Sequence, residues 1–567
     1  MKTICTFFGS DSEAQGAGGK SVQFGVFWIV VFCLYYPAAR AGFVTDFTGW
    51  LDQVRNHGFL EFINRTHFQA RSLYQLTQFN TWICYRLLGT SVWAWHVLFV
   101  TLHALNAFLL MTLVRLLLRD AGVAFYNIIA FGGALLFCIT PYNSEVIVWE
   151  PAFHFLQGLM LILVVLLCVQ RLVHTGHRKY ALWACLVYGL SLFSLELFYI
   201  TPWLVLTLAL FYAYTPAHGM NIRNRIISLC FAPMMLLFAA RFVGYRLLSG
   251  DWLSRIGTGS ATEFQTNWFG KPAKYLFHLL ALGRFWPGDM RHKVYAICDS
   301  QMGMLAFYLI VALAFAGIIL KFKQMSGKAR VAALLFSWLM MSLLLLVPLW
   351  FADDMLVLYD RYTYLAGAFF YMLVAVLISM VAMRYAALAI WGLFALANAR
   401  YAIQVSRYWG KSARIVNSLL TSLPADRSKT MILLNLPQSM HGVPMIGAEK
   451  NSEFKLMHNL LIPDKALTNK VYDVLAYNML TPEDGAHVNV INDSMIKVSL
   501  NQWGIWWWFE TRGGYSYETA DYKLNLIDPG HWYEITLKHP AGEYLVLFNV
   551  GAEWKVVDMS RKGPDQQ

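Results

Sequence analysis

Asp46 stands where the first apolar stretch of the chain gives way to polar sequence, in Ala41-Gly-Phe-Val-Thr-Asp46. A carboxyl at the edge of an apolar medium is partly desolvated, which raises its basicity and suits it to take a proton from a hydroxyl. A solvated loop acid or a helix cap would look the same, and Asp52 reads as surface. The candidate cations fall at similar borders. Arg361, after Asp360, opens a later apolar stretch at what would be the positive end of a helix, a place suited to an anion; an ion pair with Asp360 is the alternative. Arg241 lies within an apolar stretch and Arg246 just beyond it. A charge in lipid costs at least about 2.5 kcal/mol, so Arg241 must face a partner such as Glu196 or an anionic ligand. In Arg284-Phe-Trp-Pro-Gly-Asp289-Met-Arg-His-Lys293, aromatics and cations are mixed in a way that suits a lipid headgroup or an interfacial anchor equally. Glu145, with Glu150 and His154 beyond it, falls in a short polar turn, where it could orient a substrate, hold a cation or be an ordinary loop acid.

These residues are spaced by segments that only a bilayer explains. The chain is 58% hydrophobic and 14% charged, with a mean hydropathy of +0.47, where soluble domains carry about 25% charged residues. Eleven apolar runs lie near 22–41, 91–114, 123–140, 153–170, 180–195, 199–215, 226–248, 302–320, 331–350, 363–382 and 386–404. They are continuous rather than alternating, so they predict transmembrane helices and not a barrel. With the N-terminus inside, the short inner gaps hold Arg115, Arg119, Arg171, Arg178, Lys179, Arg223, Arg225, Lys321, Lys323, Lys328, Arg330 and Arg384, against Arg361 alone in the short outer gaps. That bias predicts a cytoplasmic N-terminus and an extracytoplasmic C-terminus in the inner membrane. The net charge of +12 is then largely a topogenic signal and does not point to nucleic acid.

The expected organisation is a cytoplasmic start at 1–20, a transmembrane domain at 21–404 with outer loops near 42–90 and 249–300, and an extracytoplasmic domain at 405–567. In that last domain Met431-Ile-Leu-Leu-Asn-Leu436 reads as a buried strand. Further on, His487–Asn492, Met495–Leu500, Tyr533–Lys538 and Tyr544–Asn549 read as strands between turns. The eight cysteines contain no C-x-x-C. No motif demands a cofactor, although the carboxylates at hand are compatible with a divalent cation.

Five runs carry a resemblance: Arg71-Ser-Leu-Tyr-Gln-Leu-Thr77, Trp95–Ala107, Thr140-Pro-Tyr-Asn-Ser-Glu145-Val-Ile-Val-Trp149, Ser194-Leu-Glu196 with Pro202, and Asp360-Arg-Tyr-Thr-Tyr-Leu365. In this order they resemble GT-C glycosyltransferases, and among them the bacterial relatives of the tetratricopeptide-linked protein O-mannosyltransferases. The likeness covers roughly Phe43 to Leu365. It departs from many relatives in having Thr45-Asp46-Phe47 rather than paired acids, Ser-Leu-Glu rather than Ser-Lys-Glu, and no tetratricopeptide tail. The resemblance implies a GT-C-like helical fold and an enzyme that moves a sugar from a polyprenyl-phosphate donor to a hydroxyl on a glycan, lipid or protein outside the membrane, with inversion. It also implies roles: Asp46 as base; Arg361, Arg241, Arg246 and Arg284 at the donor phosphate; Arg71, Glu145, Glu196, His154 and Asp360 at the substrates. A transporter or flippase of lipid-linked glycans would instead show internal repeats and paired broken helices. A membrane scaffold presenting its outer domain would need none of these residues near one another.

Overall fold

The computed structural model describes residues 17–44, 47–63, 75–215, 220–250, 252, 266–347, 356, 359–424, 428–447, 452–500, 505–507, 516–528, 532–560 and 563–566. Its longer helices, in order, are α1 Ala17–Tyr35, α2 Phe47–Asn56, α3 Gln75–Leu88, α4 Val92–Asp120, α5 Tyr126–Ile139, α6 Phe153–Thr175, α7 Lys179–Ser191, α8 Thr201–Ala213, α9 Ala232–Ser249, α10 Lys271–Ala281, α11 Gly288–Asp299, α12 Gln301–Lys321, α13 Gly327–Leu344, α14 Thr363–Ile378, α15 Arg384–Thr421 and α16 Glu453–Leu461, with shorter helices and turns between. All eleven apolar runs form helix. Among the described residues nine are long and apolar enough to cross a membrane, or ten if Tyr126–Ile139 and Pro141–Val148, bent by 58°, count as one broken span. The run near 180–195 gives the 13 residues of α7, about 20 Å at 1.5 Å per residue, and a span this short crosses where the bilayer thins around it. At the other end, α15 does not stop near 404 but continues to Thr421.

Burial separates the helices by what surrounds them. The spans Glu150–Thr175 and Gln301–Gln324 are equally apolar, with window hydropathy 2.5, yet 78% of the first window is buried and 0% of the second. An apolar helix with no protein around it has its counterpart in lipid. The central helices α4, α6 and α14 therefore form the bundle core, and α12 lies at its edge. This is a multi-spanning membrane protein.

Among their described residues the expected outer loops are largely helical, containing α2 and α3 in the first and α10 and α11 in the second. The C-terminal domain is rich in strands: β1 Thr430–Leu433, β2 Leu436–Met440, β3 Val443–Pro444, β4 Val471–Asp473, β5 Ala476–Met479, β6 Ala486–Val490, β7 Met495–Leu500, β8 Ile505–Trp507, β9 Tyr517–Glu518, β10 Tyr522–Asp528, β11 Trp532–Leu537, β12 Tyr544–Val550, β13 Glu553–Val556 and β14 Gly563–Gln566. They form three sheets, ordered β13-β12-β1-β4, β14-β6-β7-β11-β10-β9 and β3-β2-β5-β8. The run β12 is buried at all but its last residue, and pairs in parallel with β1, as a strand covered on both faces should. By contrast β11 alternates half-buried and buried positions, so one face meets the core.

The domain is docked on the helices. The Trp554 indole donates to the Leu419 carbonyl at 2.7 Å, the Thr48 hydroxyl binds the Glu453 carboxylate, and the His441 ring stacks on Tyr408 of α15 with centroids 4.3 Å apart. His441 and Gly442 join β2 to β3 with φ of 50° and 80°. Two left-handed residues are what a tight type I′ hairpin requires, and this turn aims the His441 carbonyl into the membrane domain.

Candidate active site

The bend after α5 carries the short helix Ser144–Val148, so the chain turns back before α6 and buries Glu145 at 4% exposure. Opposite it, the turn Asp360–Tyr362 opens α14. One Glu145 carboxylate oxygen accepts the Arg361 backbone N–H at 2.8 Å, and the other is ion-paired with the Arg361 guanidinium. Three aromatic faces surround that guanidinium: Tyr359 at 4.5 Å, Trp149 at 4.8 Å and Tyr362 at 5.1 Å from their ring centroids. Such faces stabilise a cation that has left water.

Asp360 is 1% exposed and pairs with Arg284, which also donates a 2.8 Å hydrogen bond to the His441 carbonyl. The pairing of Arg361 with Asp360, weighed in sequence as the alternative to an anion site, is therefore replaced by an exchange of partners: Arg361 with Glu145, and Asp360 with Arg284. Burial lowers the Arg284 guanidinium to about 10, which leaves it charged at neutral pH. Two acids and two arginines thus make a buried set with no net charge. A guanidinium has five N–H donors, more than one carboxylate can engage, so Arg361 can bridge Glu145 and a second anion.

Arg241 belongs to a neighbouring cluster. It donates to the Gln75 amide oxygen at 3.4 Å, lies 4.7 Å from the Phe193 ring centroid and, with Glu196, acts electrostatically on the Tyr199 hydroxyl. Phe193 also receives the Leu76 N–H at 2.9 Å on its carbonyl, and the Ser194 hydroxyl donates to the His154 carbonyl at 3.3 Å. His154 in turn lies within electrostatic reach of Arg361, which joins the two clusters. Arg246 stands apart, exposed against Trp252 at 5.7 Å.

Two expected site residues, Asp46 and Arg71, lie outside the described residues. On either side of Asp46 the chain is held: the Val44 carbonyl accepts the Trp149 indole N–H at 3.3 Å, and Thr48 binds Glu453. Trp149 therefore touches the strand of chain leading to Asp46 and the guanidinium of Arg361 at once. It was part of a motif in sequence, but with no role. Nothing local marks His278, whose Nε2 is 2.5 Å from the Tyr295 hydroxyl and whose carbonyl accepts from Tyr142 at 2.6 Å. Burial, with Arg284 and Arg291 nearby, lowers His278 to about 3, so it is neutral here.

As to a cation, no group of three His, Cys, Asp or Glu side chains with ligand geometry occurs among the described residues. Among the described residues, Glu145 and Asp360 are each paired with an arginine.

No family model matches the chain, and no curated protein matches it. Among solved structures it is similar to the oligosaccharyltransferase of Archaeoglobus fulgidus in the apo form, with 12% identity, a TM-score of 0.40, and coverage of 85% of this chain and 74% of that one. It is also similar to the same organism's AglB in complex with an inhibitory peptide and a dolichol-phosphate, with 11% identity, a TM-score of 0.35, and coverage of 84% and 74%. A further similar structure is ArnT from Cupriavidus metallidurans in the apo state, with 13% identity, a TM-score of 0.30, and coverage of 82% and 94%.

Proposed function

We propose that this chain is a GT-C-type glycosyltransferase that moves a sugar from a polyprenyl-phosphate donor to a hydroxyl of a glycan, lipid or protein acceptor outside the membrane. One observation carries the reading: segments scattered from residue 75 to residue 365 pair with one another across the fold. Leu76 bonds to Phe193 beside the Ser194 run, Ser194 bonds to His154, Glu145 holds Arg361, and His103 Nδ1 is 2.8 Å from the Tyr364 hydroxyl. A scaffold or a flippase gives no reason for residues of these runs, and their neighbours Phe193 and His154, to pair in this way.

In this reading Asp46 removes the proton of the acceptor hydroxyl as its oxygen attacks the anomeric carbon. The bond to the donor phosphate breaks on the opposite face, which inverts the centre. Arg361 stabilises the charge that builds on the departing phosphate, with Arg241 supporting it from the adjoining cluster. Glu145, fixing both the backbone and the side chain of Arg361, holds that cation in place before the reaction begins. Arg284 and Asp360 set the start of α14 and tie it to the C-terminal domain. The base and the cation work on the extracytoplasmic side, with residues 1–20 inside and 405–567 outside.

The test is mass spectrometry of surface glycans, lipids and proteins from a strain lacking this chain. Loss of one defined sugar residue, restored by the wild-type protein and not by Asp46→Asn, is the expected result. An unchanged envelope in the deletion strain rejects the reading.

A further inference from the structure

Helix α3 has its polarity turned inward. Its buried residues are Thr77, Gln78 and Thr81, all polar, whereas Phe79 is 38% and Leu87 77% exposed. A helix on an apolar protein core does the reverse. What α3 covers must therefore be polar, and one of the helices it packs against is α6. At the start of that span Glu150, His154 and Gln157 follow the i, i+4, i+7 spacing that puts them on one face. The segment at 193–198 locks the two helices together, through Leu76 to Phe193, Ser194 to His154, and the Phe198 ring seated on Gly158, where a Cβ would collide with it.

Several polar atoms on these helices are buried without a hydrogen-bond partner: Thr77 Oγ1, Thr81 Oγ1, Trp82 Nε1, Glu150 Oε2 and Gln157 Oε1. Thr77 and Thr81 are 0% exposed, Glu150 4% and Gln157 5%. Unpaired buried polar groups destabilise a fold, so a cluster of them on adjoining helices calls for a ligand that pairs them. The chemistry of the set narrows the ligand. An amide oxygen only accepts, the indole only donates, and the two threonine hydroxyls and a carboxyl group without a counter-charge can do either. A wall that both accepts and donates matches a ligand whose hydroxyls do the same.

We infer that α3 and the start of α6 form the pocket for the sugar ring of the donor, with Thr77, Thr81, Glu150 and Gln157 reading ring hydroxyls while the Arg361 cluster takes the phosphate. The inference rests on the glycosyltransferase reading and adds to it a division of the donor between two sites. It makes these four residues determinants of which sugar is used.

The full chain in nanodiscs is titrated with four probes: polyprenyl phosphate, and the same lipid carrying mannose, glucose or galactose. Thr81→Val and Gln157→Met keep size and remove the hydrogen bond. Each is expected to raise the Kd of the preferred sugar lipid by about threefold to tenfold and to leave that of bare polyprenyl phosphate within twofold. The melting temperature should hold or rise, because an unpaired polar group has been replaced by an apolar one. Equal weakening of all four lipids overturns the pocket, as does a lowered melting temperature with unchanged affinities, which would mean that the groups serve a structural water. A wild type that binds polyprenyl phosphate without preferring any sugar form also overturns it, and leaves the glycosyltransferase reading standing. A wild type that binds none of the four removes both.

Discussion

Taking the charge from Glu145 separates the two roles open to Arg361. The carboxylate holds the Arg361 backbone N–H at 2.8 Å and its guanidinium, and both side chains are largely buried, at 5% and 13% exposure. Breaking a buried pair by removing one partner costs about 3–5 kcal/mol, because the other charge is left uncompensated. Glu145→Gln keeps size and an acceptor for the backbone N–H, so its cost falls at the lower end, about 3 kcal/mol. If Arg361 also binds the donor phosphate, Glu145→Gln removes a competitor, and affinity for polyprenyl phosphate should hold or tighten while the protein loses stability. Arg361→Ala removes a charge-assisted hydrogen bond of about 1.5–3 kcal/mol, which weakens donor binding by roughly 10-fold to 150-fold. The assay pairs thermal unfolding with titration of polyprenyl phosphate into nanodisc-embedded protein. Stability falling in both variants while affinity falls only in Arg361→Ala supports the phosphate role. Equal loss of affinity in the two, in step with equal loss of stability, would reduce Arg361 to a strut and refute the reasoning.

Asp46→Asn should insert, bind donor and lose transfer, because it keeps shape and hydrogen bonding without basicity; near-normal turnover on the true acceptor would end its assignment as base. A reporter fused after Gln567 should be active outside and one near Gly327 inside, and reversed signals would strand Asp46 on the wrong side of the membrane. Gly158→Ala places a methyl into the Phe198 ring, so it should lower stability by about 1–3 kcal/mol. Phe198→Leu in the same chain should recover part of the loss, and an unaffected melting temperature in Gly158→Ala would show that the two helices are not held this way.

Elements that depend on local pattern were legible from neighbouring residues alone. Runs of about twenty apolar residues must become helices in lipid, because backbone groups there can pair only within the helix, and each of the eleven did so. Strands such as Tyr544–Val550 and Met495–Leu500 were legible for the same reason, since side-chain period and apolar run length are properties of neighbours in the chain. Which side chains pair became visible only once the chain was folded. Arg361 adjoins Asp360 in sequence, yet its partner is Glu145, 216 residues away, and Asp360 goes to Arg284. Successive residues at a helix start point in different directions, so adjacency does not make a pair; burial beside a distant carboxylate does. Trp149 and the inward polar face of α3 likewise took their meaning from what lies across from them. Apolar run length reads out the solvent around a helix, whereas a site is built from the few side chains that distant segments bring together, and that meeting is written in no single stretch of the chain.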